Sequence, residues 1–231
     1  MNWRNAYDRV RQSAARLGNA RIVADTAGTS FMEFALVLPI LISMGMYGTE
    51  IANMSLARMQ VSQLAIAVAD TASRLQQNNN NAVAPTVTED DVDTVMMGAD
   101  EQGRPIRLDE RGRVILSSLE RDPITGRQYI HWQRCTGGKQ AVSRYGNQGS
   151  LNGLTGNVLP GMGSGTSQVS APAGGSVMFV EVHYDYEGIF GNLFVDNTLF
   201  IQEAAFITRD SRDLRAANLS GLTGGGGQSA C

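Results

Sequence analysis

Residues Phe34 to Thr49, FALVLPILISMGMYGT, run for sixteen positions without a charge, bounded by Glu33 and Glu50. As a helix this run spans roughly 24 Å at about 1.5 Å per residue, short of the roughly 30 Å hydrocarbon core of a bilayer. Admitting Thr29 to Met32 and Ile51 to Leu56 lengthens it, with Glu33 then inside the apolar zone. Ahead of the run, Met1 to Gly28 carries Arg4, Arg9, Arg11, Arg16 and Arg21 against Asp8 and Asp25, a net of +3 in a chain whose overall charge is −3. A buried core helix leaves that basic leader without a role. A secretory signal peptide asks for a small-residue cleavage site after an apolar stretch of about 7–15 residues; here the run continues through Glu50 into further helix. A membrane anchor accounts for both features. By the positive-inside rule its arginines stay in the cytoplasm and everything after Thr49 lies across the membrane.

Glu33 sharpens this reading. A carboxylate within an anchor helix costs about 2.5–3.5 kcal/mol at the bilayer centre, less near an end, so it calls for a partner. A cut between Gly28 and Thr29 creates an α-ammonium four residues earlier, one helical turn away. The string Gly28-Thr29-Ser30-Phe31-Met32-Glu33-Phe34, followed by Ala35-Leu36-Val37-Leu38-Pro39, resembles the processing site and first helix of type IV prepilin-like proteins. EFALVLP in particular is similar to TadE-like pseudopilins. The resemblance covers residues 28–50. It implies that a prepilin peptidase cuts after Gly28, that Thr29 is the mature N-terminus, and that Glu33, with Phe34 and Pro39 beside it, belongs to an anchor used in assembly. It further implies packing against other pilin or pseudopilin subunits through the N-terminal helix, contact with inner-membrane lipids, and a minor-pilin role in a Tad-type (type IVc) pilus, an adhesion or secretion apparatus. Such a chain is a single-pass protein of the bacterial inner membrane, its N-terminus cytoplasmic and its C-terminal domain periplasmic or extracellular. The alternative is a signal-anchored periplasmic enzyme or binding protein with no pilus role.

The expected organisation is a basic leader 1–28, a transmembrane anchor 29–50, an amphipathic helix 51–77, a linker 78–87, an α+β domain 88–215 and a glycine-rich tail 216–231. After Thr49, Ile51, Met54, Val61, Ala65, Val68, Ala72 and Leu75 recur at three and four spacing, with Arg58 in the same stripe. One helix from about Thr29 to Gln77 follows, kinked at Pro39, which has no N–H for the carbonyl four residues back. The stripe fits either the domain's own core or packing between subunits.

Thr88 followed by Asp91 reads as a capping box, opening a helix over about 88–98. The neighbouring Glu89, Asp90, Asp91 and Asp93 lack calcium-loop spacing, and acids are favoured at a helix start in any case; no metal is expected. Pro105–Leu108, Arg113–Leu119 and Gln128–Arg134, separated by turn sequences, read as a three-stranded meander. Val177–Glu187 alternates apolar and polar residues as a half-buried strand, and Phe200–Arg209 closes the sheet. The expected fold is α+β, a long kinked N-terminal helix packed on an antiparallel sheet of four or five strands.

Glycine numbers 26 of 231 residues, and fourteen of these fall within 146–175 and 221–227. The excess therefore marks a loop and a tail. Cys135 ends an expected strand and Cys231 closes the chain. Outside the cytoplasm they can form a bridge that pins the tail to the sheet, the reading we favour, although intermolecular pairing or free thiols fit the same sequence. The charge balance speaks against nucleic-acid binding. No catalytic motif stands out and no cofactor is expected: His131 and His183 are the only histidines, with His183 on the polar side of its strand, and Gly161–Ser167 lacks the lysine of a phosphate loop.

Overall fold

The computed structural model describes residues 27–75, 87–148, 159–209, 222–224 and 229–231. The leader up to residue 26, the asparagine run and most of the linker therefore lie outside the described residues. The chain divides into two compact units, one ending at Thr49 and one spanning Glu50–Cys231.

Helix α1 runs from Ala27 to Ser73 and continues through Pro39. In the first unit its side chains are exposed on every side: Phe31, Phe34, Leu36, Ile40, Leu41 and Met44 all stand open. From Glu50 onward one stripe is buried. Ala57, Val61, Leu64, Ala65, Val68, Ala69 and Ala72 repeat at helical period and enter the core. Arg58, the basic residue in that stripe, holds its guanidinium 5.9 Å from the Phe200 ring centroid, a cation–π distance.

Strand β1 (Val87–Thr88) leads into α2 (Glu89–Gly103). The capping box forms as expected: Asp91 N–H donates to Thr88 Oγ1 at 3.2 Å and Thr88 N–H to Asp91 Oδ2 at 3.3 Å. The helix continues past residue 98, burying Val92, Val95, Met96 and Ala99 against α1 and the sheet.

Pro105–Leu108 is not a strand. Arg104–Ile106 forms a 3-10 turn, Arg107 takes a left-handed conformation (φ 55°), and Leu108–Arg111 forms the short helix α3. Proline has no N–H for a ladder and the positive φ breaks an extended run. Ile106 and Leu108 are buried all the same, now on successive turns.

The main sheet consists of β2 (Gly112–Arg121), β3 (Gln128–Thr136), β4 (Ser176–Tyr186) and β5 (Thr198–Ile207). It is antiparallel throughout, in the order β3-β2-β4-β5, which matches the expected α+β class. The β2–β3 hairpin turns on Asp122, whose carboxylate accepts Ile124 N–H at 3.0 Å and Thr125 Oγ1–H at 2.7 Å. A register shift between Ser118 and Leu119 skips His131. A separate pair, β1 with β6 (Leu222–Thr223), is parallel.

One face of the sheet packs on α1 and α2 through Val114, Leu116, Trp132, Val180, Val182 and Tyr184. The other holds a smaller cluster of Leu119, Ile130, Val177 and Phe179, closed by Met162 and Ala171 from the glycine-rich segment. The described part of that segment is thus a cover on the sheet. With the Ser143–Arg144 segment, which bonds Glu181, β4 is buried on both faces, contrary to the half-buried reading: Glu181 is fully buried, and His183, expected to face solvent, is 5% exposed.

Candidate functional site

The residues expected to carry processing and anchoring lie on α1 between Gly28 and Pro39. Gly28, Thr29, Glu33, Phe34 and Pro39 are exposed, as is every described side chain up to Gly45. Among the described residues no cation pairs with Glu33. The helix is long and apolar enough to cross a membrane, and none of its most apolar stretch is buried. Beginning at Ala27, it carries the twenty-one residues 29–49 over about 31 Å, close to a hydrocarbon core. Ser43 Oγ and Thr49 Oγ1 donate back to the Pro39 and Gly45 carbonyls at 2.7 Å, so these hydroxyls are satisfied without water.

Glu50, the charge that ends the apolar run, is fully buried. Tyr186 Oη donates to its Oε1 at 2.6 Å and Phe190 N–H to its Oε2 at 3.2 Å, while Asn53 Nδ2 donates to the Tyr186 oxygen at 2.9 Å. Among the described residues no cation reaches it. Burial, reinforced by the Glu50 hydrogen bond, raises the pKa of Tyr186 and keeps the phenol a donor. Sequence reasoning treated Glu50 as a mere flank. The only signal was its position, since its partner lies 136 residues away.

At the far edge of the sheet the structure pairs Cys135 with Cys231, Cα atoms 4.9 Å apart. The tail runs antiparallel to β3: Cys135 N–H donates to the Ser229 carbonyl at 2.6 Å and Arg134 bridges Ala230. Ser229 also hydrogen-bonds Asp93. A groove of about 450 Å³ opens beside the disulfide, lined by Ile115, Gln133, Ala141, Val142, Asn147 and Ala230. The acidic start of α2 is engaged elsewhere: Glu89 pairs with the buried Arg134, whose Nε lies 2.9 Å from Oε2, and Asp91 serves the capping box.

Two polar clusters lie within the sheet layers. Ser118 Oγ donates to Glu120 Oε1 at 2.8 Å and His131 Nδ1 lies 2.7 Å from Glu120 Oε2. The serine here addresses the acid, whereas an activated serine addresses the histidine. On the opposite face Glu181 accepts the Ser143 hydroxyl and Arg144 N–H (3.1 Å), and Glu203 accepts Tyr145 Oη–H (2.8 Å) and Ser164 N–H (3.1 Å). These bonds hold the covering loops to the sheet. His131 and His183 belong to separate clusters; His183 Nε2 lies 3.6 Å from Glu181 Oε1. Gly161–Ser167 packs on the sheet by Met162 and by Ser164. No protein family, curated protein or solved structure matches the chain.

Proposed function

We propose that this chain is a membrane-anchored minor pilin or pseudopilin that takes part in assembling a Tad-type pilus and acts by helix insertion and subunit packing. One observation carries the reading: a single helix whose first half is apolar and open on every side continues into a half that is packed in its own domain. Such a surface is unstable in water and is covered either by lipid or by like helices. The motif around Gly28 and Glu33 supplies the specific family.

In this reading a prepilin peptidase removes Met1–Gly28, which takes the chain from −3 to −6 because the leader holds +3. The new ammonium of Thr29 and the Glu33 carboxylate neutralise each other within a chain or between neighbours. The domain from Glu50 onward lies outside the cytoplasm, where the Cys135–Cys231 disulfide persists.

Mass spectrometry of the chain extracted from membranes of a cell with an active prepilin peptidase tests this. A mature mass beginning at Thr29 is expected. An intact Met1 terminus overturns the processing step and leaves an anchored domain outside pilus assembly.

A further inference from the structure

The connection between β4 and β5, residues Glu187–Asn197, reads EGIFGNLFVDN and is unusually apolar for a loop. Ile189 and Leu193 are 59% and 66% exposed, and neither enters the core. Phe190 and Phe194 stack edge to face with centroids 5.9 Å apart and are half-buried. A 3-10 turn at Gly191–Leu193 sets the loop's shape, and Gly191 N–H donates to the Gly188 carbonyl at 3.1 Å.

The loop is also fixed in place. Phe190 N–H donates to Glu50, and the strand end just before the loop does so through Tyr186. Gly188 packs so closely on Glu50 that a Cβ there would meet Oε1 at 2.8 Å. Glu50 directly follows the charge-free run in the chain.

We infer that this loop is a second membrane contact, in which Ile189, Phe190, Leu193 and Phe194 enter the boundary between lipid headgroups and acyl chains. The inference rests on the anchor reading above. If residues 29–49 cross the hydrocarbon core, Glu50 sits at its edge, and a loop hydrogen-bonded to that carboxylate sits at the same depth. Apolar and aromatic side chains are favoured at that level. Two of the three acids at the loop are neutralised, Asp185 by Lys139 and Glu187 by Arg111, and Asp196 is exposed toward its far end, where it can stay in the water above the headgroups.

The test is bromolipid quenching of the full chain carrying Leu193→Trp, in phosphatidylcholine–phosphatidylglycerol vesicles brominated at shallow or at deep acyl positions, with the unsubstituted chain as background. Membrane insertion is scored separately by flotation after alkaline carbonate. The expected result is a blue-shifted emission from the tryptophan introduced at 193 and its loss with shallow bromines but not with deep ones. Flotation with unquenched emission overturns the loop contact and leaves the anchor standing. Blue-shifted emission without quenching marks a protein contact at this loop and likewise overturns it. Failure to float overturns the anchor and, with it, this inference.

Discussion

The phenol of Tyr186 donates a 2.6 Å hydrogen bond to the carboxylate of Glu50, joining the last residue of β4 to the first residue of the packed half of α1. Both are buried, and the Phe190 amide completes the clasp from the loop beyond. A buried carboxylate with donors but no cation stays stable only while its donors are in place. The clasp thus fixes the domain to its helix at the point where the apolar segment ends.

Tyr186→Phe removes one of the two hydrogen bonds that described residues donate to that carboxylate, without changing the packing shape. The expected loss is about 1.5–3 kcal/mol, the range for hydrogen bonds to charged groups. Glu50→Gln keeps an acceptor for the phenol and loses less. Urea unfolding of the detergent-solubilised chain, followed by far-UV circular dichroism, ranks the two; a loss from Glu50→Gln larger than that from Tyr186→Phe contradicts the clasp.

Replacing Cys135 and Cys231 together by serine opens a closure of 96 residues. The loop-entropy model sets the loss at up to about 4–5 kcal/mol. The wild-type chain is expected to run as a monomer on a nonreducing gel. A disulfide-linked dimer there assigns the cysteines to neighbouring chains.

Stability falls in strong alkali. Burial is the main cause that raises the pKa of Tyr129, Tyr145, Tyr184 and Tyr186, with the carboxylates of Glu120, Glu203 and Glu50 adding to it at Tyr129, Tyr145 and Tyr186. The fold therefore favours neutral phenols. Their contribution is complete below the unfolded value of about 10 and is lost as pH rises past it, because the unfolded chain ionises first. In acid the sign reverses at Asp122: the Thr125 hydroxyl and turn amides hold its carboxyl below the ordinary 3.8. Its contribution is present above that pH and disappears as pH falls through the lowered value. Tyrosine absorbance at alkaline pH, recorded beside circular dichroism, checks the first claim; Tyr129, Tyr145, Tyr184 and Tyr186 are expected to ionise above the ordinary phenol range while the chain is folded.

Gly138→Ala is expected to cost more than an average surface change, about 2 kcal/mol or more. A Cβ at Gly138 would lie 2.0 Å from the Asp109 carbonyl oxygen, backbone that cannot swing away. The adjoining Gly137, at φ +97°, brings the chain into that contact. Thermal unfolding compared with Gly126→Ala, where the new methyl meets open space but φ is +69°, separates crowding from backbone strain.

On the proposed pilin role, Glu33→Ala is expected to leave peptidase cleavage intact and to abolish incorporation of the chain into pili. Immunoblots of sheared pilus fractions against whole-cell fractions measure the two outcomes. Normal incorporation removes Glu33 from the assembly contact.

Several of these elements were legible because their signal is local. The stripe of α1 repeats at helical period, the Thr88–Asp91 box spans one turn, and strands β2, β3 and β5 lie within a few residues of their apolar runs. Pro105–Leu108 misled because four residues of alternation fit turns as well as a strand, and the left-handed Arg107 that decides between them has no sequence mark. His183 and Glu181 misled for a different reason. Alternation in β4 correctly separates two faces, but says nothing about a later or earlier loop returning to cover one of them.

For the candidate site, Gly28, Thr29 and Glu33 were readable as a contiguous motif, and Cys135 with Cys231 as a possible pair. Glu50 and the Glu187–Asn197 loop were not, since neither has meaning without the other and 136 residues separate Glu50 from Tyr186. By itself the sequence determined a long helix with an apolar half, an antiparallel sheet and the boundary near Thr49, all consequences of residue periodicity and of charge excluded from one stretch. Only the tertiary structure decided which polar groups are buried and what satisfies them, because a hydrogen-bond partner for a buried carboxylate is chosen by proximity in space.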